Sequence, residues 1–280
     1  MGAPSGFTLV TGASTGIGRE IALLAASRGR SLILVARSKD KLSELARTVR
    51  DAHGVRAEGI ALDLSEPLAP EALAREIQRR EIEIEALVNN AGFGSLGPFH
   101  ETPVERQLEM LRLNVLALTH LTHLFLGPML ARRRGRILNV ASTAGLQPGP
   151  YMAVYYASKA YVVSFTEALA EELRGTGVTS TALLPGPTRT EFQSRADMAE
   201  SRLVRFGMAD ARSVAEAGYR GMEAGKVVVI PGITNKAGSL LVRVSPRAAV
   251  RRVVSWLNRG NTGEERKGAR DTRRRKEESE

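Results

Sequence analysis

The 280-residue chain contains no cysteine. Disulfides, thiolate nucleophiles and zinc–thiolate centres are therefore excluded. Histidine is scarce: His53, His100, His120 and His123 are the full set. His120 and His123 have helical spacing, but no acid stands near them in the sequence, so a metal centre is not expected. Aromatic residues make up 5% of the chain, which leaves an aliphatic core. No apolar run approaches the roughly 20 residues of a membrane-spanning helix. Residues 1–10 run straight into an apolar stretch without a secretory pattern, and Gly6 stands where a myristoylation motif needs Ser or Thr. A cytoplasmic location is expected. Acid is also missing locally: between Glu223 and Glu264 there are seven Lys or Arg and no Asp or Glu, within a net charge of +10.

What is present begins with a short apolar run, Phe7 to Val10, followed by TGASTGIG. A strand, a glycine-rich turn and a helix form an anion cradle. Glycines let the backbone approach a pyrophosphate, and the helix N-terminus favours its charge. Gly12, Gly16, Ile17 and Gly18 form this turn, and Ser14 and Thr15 add hydroxyls. The spacing is one residue wider at its start than G-x-G-x-x-G. A second apolar strand, Ser31 to Ala36, ends in Arg37-Ser38, where NAD-binding units carry an acid for the ribose. Arginine there would pair with a 2′-phosphate or stack on adenine, so NADP(H) is expected over NAD(H), with Ser38 as a second donor. The alternative is an ordinary surface arginine.

A third strand, 55–62, leads to Asp63-Leu64, which would flank the adenine; a turn-forming Asp is the other reading. The fourth strand closes in Asn89-Asn90-Ala91-Gly92, small residues suited to a ligand lying against backbone. Thr102 before Pro103 reads as an N-cap with Pro at N1 of a helix to Leu126. Asn114 lies among leucines in that helix, and it is either a satisfied structural amide or the holder of an active-site water.

The chain is organised around residues 142–159. Tyr155 and Lys159 are one helical turn apart, and an ammonium so placed lowers a phenol pKa towards neutrality. Such a tyrosine exchanges protons near physiological pH. Ser142, ending the fifth strand, could reach the same substrate oxygen. After the sixth strand, Pro185-Gly186-Pro187 turns the chain and brings Thr188 and Thr190 within reach of a cofactor.

These motifs, in this order and spacing over residues 6–235, resemble the short-chain dehydrogenase/reductase superfamily. VVVIPGITNK (227–236) and the following SPR resemble its 3-ketoacyl and 17β-hydroxysteroid reductase branch. The resemblance implies one α/β domain, a Rossmann-like doubly wound parallel sheet with helices on both faces, spanning 1–259. It implies Tyr155 as acid/base, Lys159 as its tuner and a binder of nicotinamide ribose, Ser142 orienting the substrate oxygen, and Asn114 holding a water linked to Lys159. Residues 191–209 become a lid over an apolar carbonyl substrate, and a homodimer or homotetramer is expected. A protein that senses NADP(H) on the same fold, with incidental catalysis, is the alternative.

The region 236–259 reads as basic, amphipathic and helical. Its occupant is a membrane surface, this domain or a second subunit. Residues 260–280 mix both charges and read as a disordered, solvated tail, so no nucleic-acid partner is expected.

Overall fold

A computed structural model describes residues 6–191 and 208–259. Strands and helices alternate through the first half: β1 Phe7–Thr11, α1 Gly16–Ser27, β2 Ser31–Ala36, α2 Lys39–His53, β3 Ala57–Ala61, α3 Ala69–Arg79 and β4 Ile84–Asn89. A long helical run follows, made of α4 Val104–Leu111, a π-helical turn Arg112–Ala117 and α5 Leu118–Ala131. Then come β5 Gly135–Val140, a 3-10 turn Thr143–Leu146, α6 Ala153–Glu172 and β6 Val178–Leu183. The remaining elements are β7 Thr188–Arg189, β8 Ala209–Asp210, α7 Ala211–Glu223, β9 Val228–Val229, α8 Ile233–Val244 and α9 Arg247–Asn258.

Seven strands form one parallel sheet in the order β3-β2-β1-β4-β5-β6-β9. The order reverses between β1 and β4, and in such sheets a crevice opens beyond the strand carboxyl ends at that point. The sheet is buried on both faces, and the alternation of side chains sorts its residues. Val10, Leu32, Leu34, Val88 and Leu138 pack with α1, α2 and α7. Their neighbours Leu9, Ile33, Val35, Leu87 and Ile137 pack on the other face with α3, α5 and the end of α6. The expected doubly wound α/β architecture is the one observed.

Three expectations are corrected. Thr102 does not cap the long helix: its hydroxyl donates to Pro98 O at 3.1 Å, and Pro103 is the N-cap residue with φ −52° and ψ 131°. Pro103 itself leaves the chain extended before the first turn, so the hydroxyl is carried away from the helix N–H groups. The run Val104–Ala131 is long and apolar enough to cross a membrane by length and composition, which the sequence reading did not anticipate. Its apolar face is spent in the domain, where Leu121, Phe125 and Met129 lie in the core against the sheet. The basic C-terminal region is two helices joined at Ser245-Pro246, and it starts earlier than expected, at Ile233.

The expected lid, 191–209, falls largely on residues 192–207, outside the described residues, as does the tail 260–280. The two ends of the lid segment are held together. Thr188 and Arg189 pair with Ala209 and Asp210, and Ala209 N donates to Pro187 O at 2.8 Å.

Candidate active site

The glycine turn is built by close approach. Gly12 and Gly16 have φ of +64° and +58°, a region that side chains with Cβ rarely adopt. A Cβ on Gly18 would collide with the Asn90 amide and the Gly12 carbonyl. Asn90 is held there because its Nδ2 donates to Thr11 O at 3.0 Å and Gly12 O at 3.1 Å. Thr11, which the sequence reading passed over, is the clamp. Its Oγ1 donates to Val88 O at 3.2 Å and accepts from Asn90 N and Ala91 N, both at 3.0 Å. One hydroxyl thus fixes the switch point between β1 and β4. The T of TGASTGIG was the available signal. Gly18 and Ala91 support this wall from behind, while Gly12, Ser14, Thr15, Gly16 and Ile17 face a crevice of about 710 Å³.

Arg37, Ser38, Asp63 and Leu64 line the same crevice beyond the ends of β2 and β3. Asp63 Oδ1 accepts from Ser65 N at 2.9 Å and Ser65 Oγ at 2.7 Å, the geometry of a turn-forming Asp. Burial acts to raise its pKa, but the Ser65 bonds and Arg37 outweigh it and hold the carboxyl below its usual value. Arg37 is flanked by two acids, with Nη1 at 3.6 Å from Asp63 and 3.8 Å from Glu109. Its side chain is 58% exposed, so these contacts are solvent-screened. Glu109 was not foreseen as a neighbour.

The structure brings Ser142, Tyr155 and Lys159 together at the centre of the crevice. The 3-10 turn after β5 fixes Ser142, whose Oγ accepts from Ala144 N at 3.1 Å and lies 3.3 Å from Pro185 O. The Tyr155 hydroxyl is hydrogen-bonded to the Ser142 side chain. Lys159 is buried, donating from Nζ to Val140 O at 2.8 Å. Buried amides anchor the helix that carries the pair. Asn89 Nδ2 donates to Thr122 Oγ1 and Asn139 Oδ1, and Asn139 Nδ2 donates to Thr166 Oγ1, a chain from β4 and β5 into α5 and α6.

The expected lowering of the Tyr155 pKa is not found. Burial pushes the phenol above its ordinary value of 10, against the smaller opposing effect of the Ser142 bond. Burial also lowers Lys159 to about 8. Nζ lies 6.0 Å from the Tyr155 ring centroid and bonds to Val140 O, so burial, and not the pairing of the two groups, sets both shifts.

Asn114 is a satisfied amide. Nδ2 donates to Phe93 O at 2.9 Å and Ser158 Oγ at 3.1 Å, and Oδ1 accepts from Phe93 N at 3.1 Å. It does not line the crevice, but it stands close behind Gly92. A Cβ on Gly92 would lie 2.9 Å from Asn114 Oδ1 and 3.6 Å from Lys159 Nζ. Pro185, Gly186, Thr188 and Thr190 form the far wall. Gly186 packs so tightly on Asn235 that a side chain there would overlap it, which joins the start of α8 to the site.

α9 packs behind the Tyr155 side of the crevice, a contribution that sequence reasoning missed. Val250 and Val254 pack with Phe93, Met110, Met152, Tyr155 and Tyr156. Asn258, fully buried, donates from Nδ2 to Pro150 O at 2.9 Å, and Tyr156 Oη donates to its Oδ1 at 3.4 Å. Arg259 Nε donates to Tyr151 Oη at 2.6 Å. One face of the C-terminal region therefore docks on this domain. Among the described residues no group of acids and histidines could hold a metal.

A glycine cradle at a sheet switch point, continuous with a serine–tyrosine–lysine cluster, is the arrangement of a dinucleotide-dependent dehydrogenase fold. The sequence profile described as short chain dehydrogenase matches residues 7–201, and the chain belongs to that family. The very-long-chain 3-oxoacyl-CoA reductase of Laccaria bicolor is 36% identical over 175 residues, covering 62% of this chain and 52% of that protein. A short-chain dehydrogenase from Sphingobium yanoikuyae, solved with NADPH, has a TM-score of 0.76 at 31% identity, covering 87% of this chain and 97% of that one. A short-chain dehydrogenase/reductase from Burkholderia phymatum, solved with NAD, also has a TM-score of 0.76, at 28% identity over 86% of this chain and 94% of that one. The matched segment spans 52–60% of the length of the first curated relatives.

Proposed function

We propose that the protein is an NADPH-dependent reductase of an apolar ketone, with 3-ketoacyl thioesters as the leading substrate class. The observation that carries this reading is the hydrogen-bonded Ser142–Tyr155 pair, buried beside Lys159 on the wall of a crevice continuous with the glycine turn. The cradle fits a dinucleotide: Gly12 and Gly16 line it at positive φ, Gly18 leaves room for Asn90 and the Gly12 carbonyl behind it, and the α1 N-terminus faces it. Gly12, Ser14, Thr15 and Gly16 would hold the pyrophosphate, Arg37 and Ser38 the 2′-phosphate, and Thr188 and Thr190 the nicotinamide end. When bound, the nicotinamide supplies the hydride.

The chain's own residues do the rest. Tyr155 is a protonated phenol at neutral pH, and burial pushes its pKa further up, so it would donate the proton to the substrate oxygen in carbonyl reduction. The Ser142 hydroxyl and the phenol would both bond the substrate oxygen as negative charge grows on it. Lys159 holds positive charge at the same wall below about pH 8. Phe93, Met152 and Tyr156 make the substrate end apolar. The similarity to a very-long-chain 3-oxoacyl-CoA reductase and to a short-chain dehydrogenase solved with NADPH supports both a ketoacyl substrate and NADPH.

The test is NADPH oxidation with a panel of ketones, 3-ketoacyl thioesters and ketosteroids, run on wild type and Tyr155→Phe. Turnover is expected to fall at least about a thousandfold in the variant, while NADPH binding by fluorescence stays within a few-fold. A Tyr155→Phe enzyme with near wild-type turnover would remove the proposed mechanism.

A further inference from the structure

We infer that α8 and the outer face of α9 form a docking surface for anionic lipid, placed beside the substrate end of the crevice. α8 turns Asn235, Ser239 and Val242 towards the domain. On the opposite side Ile233, Leu240, Leu241 and Val244 are 85, 64, 65 and 74% exposed. At 3.6 residues per turn these four fall within an arc of about 100°. Lys236 and Arg243, both exposed, flank the same stripe. α9 repeats the pattern. Val250, Val254 and Asn258 face inward, Val253 and half-exposed Trp256 face outward with Arg252, and Arg251 is exposed at the edge between the two faces.

The charge decides the occupant. No acid occurs between Glu223 and Glu264, a stretch that contains both helices. An apolar stripe edged by cations alone, with a tryptophan, fits a negatively charged leaflet, where apolar side chains insert and ammonium and guanidinium groups meet headgroups. A second copy of this chain would fit less well, because a two-fold contact would set cations against cations. The position is useful as well. Val242 packs on the cluster formed by Val250, Val254, Met152 and Tyr156, so the surface adjoins the apolar end of the crevice. A substrate with an acyl chain could pass from lipid to the crevice without crossing water.

The test is cosedimentation of the full chain with vesicles of phosphatidylcholine alone and of phosphatidylcholine with about 30% phosphatidylserine. Binding is expected to be at least about tenfold tighter to the anionic vesicles and to weaken as salt is raised. Leu240→Ser/Leu241→Ser should lower it about tenfold or more, with the melting temperature unchanged because both side chains are exposed. Arg243→Ala/Arg251→Ala should lower binding to anionic vesicles alone. The charged tail is intact in both variants, so a loss belongs to the helices. Failure to bind, equal binding to the two vesicles, or undiminished binding of the leucine variant would overturn the inference. So would a wild-type dimer in sedimentation velocity that the leucine variant dissolves without any vesicle binding. None of these readouts involves turnover, so they stand apart from the proposed reaction.

Discussion

Tyr155 and Lys159 lie one turn apart on α6, and burial moves their protons in opposite directions. The phenol holds its proton more tightly and the ammonium holds its own less tightly. Lys159 is charged below about pH 8 and neutral above it, so a reaction that needs the ammonium has an alkaline limb there. The expected outcome is a plateau in kcat/KM for carbonyl reduction through neutral pH, then a tenfold fall per unit above about 8. A limb at 10 or higher would belong to another group. The effect on stability has the opposite sign. Between about 8 and the ordinary lysine value of 10.5, the unfolded chain binds a proton at this residue that the fold does not, so this residue's contribution to stability rises with pH across that window.

Arg37 is the second residue whose surroundings modify what its identity suggests. Asp63 and Glu109 draw on its charge, but both contacts are longer than hydrogen bonds and the side chain is largely solvated. A 2′-phosphate can therefore take the guanidinium from them at little cost. Arg37→Ala is expected to raise KM for NADPH about tenfold or more and to leave KM for NADH within a factor of about two. An equal rise for both cofactors would mean that Arg37 stacks on adenine and does not read the phosphate.

At the scale of elements, α6, which carries Tyr155 and Lys159, is held at its head by α9. Tyr151 has a φ of +66°, unusual for a side chain of its size. Asn258 and Arg259 bond to Pro150 O, Tyr156 Oη and Tyr151 Oη and keep that turn in place. Asn258→Ala removes a fully buried amide and leaves buried partners unmet, at a cost of about 1–3 kcal/mol. The melting temperature should fall by several degrees. If the latch also positions Tyr155, kcat should fall several-fold while NADPH affinity is unchanged; a lower melting temperature with intact kcat would limit it to a structural role.

The difference between what the sequence revealed and what it hid follows sequence distance. The glycine turn, Ser142 and the Tyr155–Lys159 pair are local patterns whose spacing carries their geometry. Asn258 touches Tyr156 across 102 residues, and Thr11 clamps Asn90 across 79, contacts that no local period reports. Burial is equally non-local. Nothing in Y-x-x-x-K says that both groups lose their water, and so the sign of the tyrosine shift was misjudged. The Thr102 cap failed for a local reason, the extended conformation that Pro103 adopts.

For the whole molecule, the two ends of the sheet have separate duties. The carboxyl ends of the strands carry the crevice. At the amino ends, Glu85 near the start of β4 is 4% exposed and collects Arg30 at 2.8 Å, Arg134 at 2.9 Å and Arg136 at 3.6 Å. These residues join the approach to β2 with the entries to β4 and β5, the central strands on which Asn89 and Asn139 hold α6. The cluster is asymmetric, because the acid is buried and Arg134 is half-exposed. Glu85→Gln leaves guanidinium groups that can reach water, so its cost should be about 1–2 kcal/mol. Arg30→Ala/Arg134→Ala strands a buried carboxylate with Arg136 alone at 3.6 Å and should cost about 3–5 kcal/mol. Urea unfolding measures both. Because the cluster is at the opposite end from Tyr155, kcat per folded molecule should be unchanged in either variant. If Glu85→Gln proved the more damaging, the arginines and not the acid would be the groups that depend on the pairing.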